Sequence, residues 1–276
     1  MSYNDPRIKY IKNETNLKLI KTLNKGIDLA IGKYIARMDA DDISLPNRFQ
    51  VEYEFMESNP EISVCSSLIF RMLPNNRIRE SYYFEGGSPE GCRFKSIFRV
   101  PLSHPASFFR AEVLKEFKYK DSADALHIED FALWGDLTLS ERKLYVIPQR
   151  LLYYRESEQS VSHAYNAVQI ENTKNRVRFM LKQMLDIEIT EEVLDSMYDM
   201  NDSPKLNYLL RAINLVNTSR KVYLTKFRTP KETYQDIEKA VYCIKRGILG
   251  NAYRGSFGLK KAIIAFFFLL VKARIK

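Results

Sequence analysis

Two groups of acidic residues carry the chemistry this sequence can offer. In the first, Asp39, Asp41 and Asp42 crowd directly behind the apolar run Tyr34–Met38. Like charges at that spacing repel, and aspartate is a poor strand former, so a bound cation is the natural compensation. On a strand, a two-residue step puts Asp39 and Asp41 on one face and Ala40 on the other. Hard oxygen ligands with open coordination positions suit Mn2+ or Mg2+ carrying a diphosphate. A polar strand end whose aspartates cap the following helix is the plain alternative. An EF-hand loop is excluded: starting at Asp39, it has Ser44 where glycine is required and Gln50 where the bidentate glutamate belongs.

The second group is Glu129-Asp130, at the start of a predicted helix. The helix N-terminus favours their charged forms, and a general base must be ionised to accept a proton. Simple helix capping is again the alternative. The histidines are His104, His127 and His163. A lone histidine in a polar loop is ordinarily just solvated. Arg155 is placed to neutralise phosphate or to cover a strand edge. Trp134 falls in an apolar pattern and reads as core.

The elements that must position these groups follow from periodicity. Leu17, Ile20, Leu23, Ile27 and Ala30 recur at helical steps, with Gly32 as a stop. Tyr34–Met38 reads as a buried strand, and Pro46 opens a helix that runs to about Ser58. Ile62–Phe70 is a second strand. Helix, strand, helix, strand predicts an α/β layered domain with a mostly parallel sheet, whose strand ends bind ligand. Pro89–Phe98, Arg110–Phe117 and Glu129–Arg142 read as helices. Ala106–Phe109, Leu144–Ile147 and Leu151–Arg155 read as strands. After about His163 the pattern turns wholly helical: Val168–Leu185, Thr190–Met200, Leu206–Val216 and Lys231–Arg246. The expected organisation is an α/β domain over 1–165, a helical appendage over 166–250 and a basic amphipathic tail over 251–276.

Bulk composition narrows the function classes. The 276 residues are 45% hydrophobic, enough for a packed core and against global disorder. The net charge is +9, yet Gly247–Lys276 holds six Lys or Arg and no acid. Charge gathered in a tail points to an anionic surface rather than to a nucleic-acid groove. In that tail Lys260, Lys261, Lys272, Arg274 and Lys276 bracket an apolar run, Ala262–Val271, too short to span a bilayer as a helix. It is expected to lie in a membrane interface. A helix docked on protein is the alternative. Three scattered cysteines show no disulfide framework or metal spacing and fit a reducing compartment. The start has no apolar signal region. The expected location is cytoplasmic, peripheral at the inner face of the cell membrane.

Four ordered blocks resemble a family 2, GT-A-type glycosyltransferase. They are Asn24–Phe49 (NKGIDLAIGKYIARMDADDISLPNRF), Leu102–Arg110 (LSHPASFFR), His127–Trp134 (HIEDFALW) and Leu152–Ser162 (LYYRESEQSVS). The resemblance implies a GT-A-like, Rossmann-like fold and transfer of a sugar from a nucleotide-sugar donor, most simply a UDP-sugar, to a glycan or lipid-linked acceptor. It implies that Asp39 faces the nucleotide and ribose, that Asp41 ligates metal and that Asp42 is an alternative ligand. His163 would be a further metal or diphosphate contact. Asp130 would take the acceptor proton with Glu129 positioning it, and inversion is expected.

The resemblance also exposes a departure. The family's opening strand-helix-strand has no counterpart, since the chain opens at Asn4-Asp-Pro-Arg-Ile-Lys-Tyr-Ile, and Lys18 replaces an expected glycine. The sheet is therefore expected to be N-terminally incomplete, as a shortened reading frame, a split-gene fragment completed by a second chain, or a degenerate copy. Weak or no activity of the chain alone follows. Two other readings stand beside the leading one: a non-catalytic membrane- or partner-binding remnant, and a haloacid-dehalogenase-like phosphatase with Asp39-Ala-Asp41 as its nucleophile motif.

Overall fold

The computed structural model describes residues 5–80, 87–156, 166–198 and 206–254. The chain begins with helix α1 (Lys18–Leu29), short strand β1 (Tyr34–Ala36), β2 (Ile43–Ser44) and helix α2 (Arg48–Ser58). Strands β3 (Ile62–Met72) and β4 (Ile78–Glu80) precede α3 (Pro89–Lys95), β5 (Ser107–Arg110) and α4 (Ala111–Phe117). Helix α5 (Glu129–Leu139) and the long strand β6 (Lys143–Arg155) complete the sheet region. Then come α6 (Asn166–Leu185), α7 (Glu191–Tyr198), α8 (Leu206–Lys226) and α9 (Tyr234–Arg254).

One sheet runs in the order β1-β5-β3-β6-β2, with β4 paired to β3. Its centre is the parallel pair β3/β6, whose register runs from Ile62↔Lys143 to Met72↔Arg155. The remaining pairs are antiparallel. The expected α/β class holds, but its mostly parallel character is confined to that central pair. The β3-to-β6 crossover, which carries α3, α4 and α5, is long enough to return in parallel. The two strand segments expected around Pro148 are one strand. The parallel register slips between Ser67 and Ile69, opposite the region of Pro148, the irregularity a proline without an N–H demands inside a sheet.

Burial explains the centre. Ile62–Leu68 are buried without a break, as a strand covered on both faces requires. Trp134 is fully buried and stacks on Phe109, ring centroids 5.5 Å apart, so it is core as its pattern indicated. One apolar cluster runs from Ile20 through Trp134 to Leu249, so sheet and C-terminal helices share a core. Side chains stitch them further. Tyr198 donates to the Phe98 carbonyl at 2.6 Å, and Asp236 accepts from the Ser88 N–H at 3.0 Å. A Cβ at Gly91 would stand 2.9 Å from that of Asp236, which is how closely α3 and α9 approach.

β1 lies at the sheet edge and pairs only with β5 among the described strands. Beside it Ile31 is 89% exposed, and Leu19, Leu29, Ile8 and Ile11 are exposed as well. An open edge flanked by apolar side chains is a ready template for strand addition.

Candidate active site

The acidic triplet does not sit on the strand. β1 ends at Ala36, and the chain turns, with the Asp42 N–H donating to the Asp39 carbonyl at 3.3 Å. Aspartate disfavours strand and readily forms such turns. The turn does more than strand alternation would: it gathers Asp42 as well as Asp39 and Asp41, one oxygen of each lying within 4.8 Å of the others. After the turn, β2 pairs with β6, and Leu45 donates to the Leu151 carbonyl.

The three carboxylates differ. Asp41 is exposed. Asp39 is half-buried, and both its oxygens accept from Arg37, at 2.7 and 2.6 Å. Asp42 is buried, its Oδ1 accepting from the Arg155 N–H at 2.9 Å. Its Oδ2 is buried with no partner. Burial first, then repulsion from Asp39 and Asp41, pushes the Asp42 carboxyl up to about 6 against the Arg155 hydrogen bond. A buried, partnerless carboxylate oxygen beside two further carboxylates fits a hard divalent cation. Asp41, Asp42 and Asp39 are the residues that would hold it.

Arg155 contributes in a way the sequence did not indicate. Its Nε donates to the Asp41 carbonyl at 2.9 Å while its N–H holds Asp42. The end of β6 thus clasps the acidic turn by its backbone. Beneath the turn, Arg48 and Glu52 form an ion pair with no exposed surface. Burial raises the Glu52 carboxyl, and Arg48 opposes the rise.

The second acidic pair opens α5 as expected. Asp130 lies in the first turn of the helix, with Oδ1 accepting from the Phe131 N–H at 2.7 Å. Burial, then the neighbouring Glu129, pushes Asp130 up to about 6. Burial also raises Glu129, and Arg37 pulls both down. Arg37 therefore acts on both acidic groups: it grips one and lowers the other. The approach to the pair is strained, because His127 has φ 64°, a left-handed conformation unusual for a residue with a side chain.

That loop is held by α6. Gln169 donates to the His127 carbonyl at 3.0 Å, and Asn172 to the carbonyls of Ala123 and Leu126 at 2.8 and 2.9 Å. Arg176 donates to the Ala132 carbonyl and pairs with Asp136. Steps of three and four put these side chains on one helix face. Their signal was polar residues interleaved on an otherwise apolar face, which does not name the carbonyls they meet.

Of the histidines, His104 is buried and hydrogen-bonded to the Tyr119 hydroxyl at 2.6 Å. Burial and then Arg37 hold it well below the usual range, so it is a neutral core group. His163, like the tail residues 255–276, lies outside the described residues.

This arrangement, an α/β sheet presenting an acidic turn at one strand end and a carboxylate pair at a helix start, has relatives. Residues 1–117 match the model of Glycosyl transferase family 2. An uncharacterized glycosyltransferase of Methanocaldococcus jannaschii is 34% identical over 156 residues, 55% of this chain and 51% of the relative. One of Haemophilus influenzae is 29% identical, over 76% of this chain and 68% of the relative. The amylovoran biosynthesis glycosyltransferase AmsE of Erwinia amylovora is 28% identical, over 62% of this chain and 63% of the relative. The chain thus spans 51–68% of the length of these relatives.

Proposed function

We propose that this chain transfers a sugar from a nucleotide-sugar donor, with a UDP-sugar the simplest case, to a glycan or lipid-linked acceptor. The observation that carries this reading is the placement of Arg37 between two carboxylate groups of different character. One group, Asp39, Asp41 and Asp42, has ligand oxygens within 4.8 Å of one another and a buried Asp42 oxygen with no hydrogen-bond partner. The other has Asp130 pushed up to about 6, suited to proton transfer, beside Glu129, which burial also raises. Mn2+ or Mg2+ held by Asp41, Asp42 and Asp39 would neutralise the departing diphosphate. Asp130 accepts the proton of the acceptor hydroxyl as that oxygen attacks the anomeric carbon, and Glu129 orients the acceptor. A single base with direct displacement inverts the anomeric centre. Arg37 keeps Asp39 aimed, and Arg155 keeps the turn in register with the sheet.

The bidentate grip of Arg37 on Asp39 weighs against the phosphatase alternative, which needs a free nucleophilic carboxylate at that position. The amylovoran biosynthesis named for the Erwinia relative supports a role in surface-glycan assembly. The basic tail 251–276 would be the membrane anchor; among the described residues no helix is long and apolar enough to cross a membrane. The open edge of β1 with exposed Ile31 supports a complementing strand from a second chain, so that turnover by this chain alone is weak. The test is a thermal melt with UDP and Mn2+, since a ligand of the folded state must raise Tm. A rise at millimolar UDP that requires Mn2+ is expected. No shift would favour the non-catalytic, partner-binding reading.

A further inference from the structure

The Arg48–Glu52 ion pair takes no part in the chemistry above, and stability does not account for it. Apolar side chains of similar volume commonly serve a core as well as or better than a buried ion pair. One bond leaves the pair. Arg48 Nη2 donates to the carbonyl oxygen of Arg37 at 2.9 Å, while Nε faces Glu52 at 3.0 Å. The Arg37 N–H is tied separately to the Ser107 carbonyl at 2.9 Å. Both backbone groups of Arg37 are therefore fixed, one by the sheet and one by Arg48. From that fixed root the Arg37 guanidinium grips Asp39 through two bonds.

We propose that Arg48 is a positioning residue for the acidic turn. By fixing the Arg37 peptide, it sets where the guanidinium holds Asp39, and so the shape that Asp39, Asp41 and Asp42 present to a divalent cation. Glu52 keeps the Arg48 fork oriented from below. The inference rests on the divalent-cation reading of the site.

Three variants of the full chain separate positioning from folding. Glu52→Gln keeps the Arg48 bond to Arg37 and strands a buried charge. Arg48→Lys keeps a charge opposite Glu52 but lacks the fork that reaches two acceptors at once. Arg48→Met with Glu52→Gln removes both charges together. Mn2+ uptake, read by electron paramagnetic resonance with and without UDP, is set beside Tm. Glu52→Gln should lower Tm and leave Mn2+ affinity unchanged. Both Arg48 variants should stay folded and lose roughly 10–100-fold in Mn2+ affinity, as lost support of metal ligands does elsewhere. Either Arg48 variant suffices if the other does not fold. Wild-type Mn2+ affinity in a folded Arg48 variant, or affinity that merely tracks Tm across all three, would overturn the proposal. A wild-type chain that takes up no Mn2+ would instead overturn the cation reading itself.

Discussion

At the scale of single residues, the site depends on carboxylates held away from their ordinary protonation. Asp130 is raised to about 6 from an ordinary value near 3.8, chiefly by burial. Between those values the native state keeps a proton that the unfolded state has released, so this group makes stability fall as pH rises through the window. Asp130→Asn removes the penalty while retaining an acceptor for the Phe131 N–H. Its Tm should exceed wild type at pH 7.5, and the gain should vanish near pH 3.5. Transfer should drop by about 10²–10⁴, the usual contribution of a general base. In the wild type, kcat/KM should rise with pH and level off above about 6; an undiminished rate at pH 5 would remove Asp130 from the role of base. The types and order of these acids were legible in the sequence. Their inequality was not, because the burial of Asp42 depends on the end of β6, a chain segment far from the motif.

At the scale of elements, the informative contact is that of α6 with the loop before α5. The strained His127 and the acidic pair stand on a segment whose carbonyls are satisfied by Gln169 and Asn172. Asn172→Ala removes two hydrogen bonds from part-buried carbonyls, at about 0.5–1.5 kcal/mol each. Hydrogen exchange in residues 123–131 should speed up, and transfer should fall with little change in donor KM. Unchanged exchange there would mean the loop holds itself. Most elements were readable from periodicity and punctuation, since proline opens α3 and the start of α2 follows Pro46 closely. Strand direction was less readable. β5 and β2 are short, and no local pattern distinguishes an antiparallel from a parallel neighbour when both faces are covered.

For the whole molecule, the shared core decides behaviour. Residues from Ile20 to Leu249 pack in one apolar cluster, with the single tryptophan, Trp134, fully buried within it. Unfolding should therefore be one transition. Trp134 fluorescence, which reports the sheet side, and far-ultraviolet circular dichroism, dominated by the helices, should give coincident melting curves. Two separated transitions would mean that the C-terminal helices form an independent unit. Removing residues 166–254 should leave a sheet region that does not fold alone, because it strips apolar cover from α5 and carbonyl partners from its loop.

By itself the sequence determined which residues can do chemistry, the helix and strand rhythm that delivers them, and the family resemblance those blocks carry. These are local properties of spacing and side-chain type. Only the tertiary structure decided that Asp39, Asp41 and Asp42 meet in a turn rather than along a strand. It alone placed Arg37 between two acidic groups, Arg48 beneath one of them and α6 behind the other. Such placements depend on which distant segments are packed together, and burial and charge then act between residues that periodicity cannot relate.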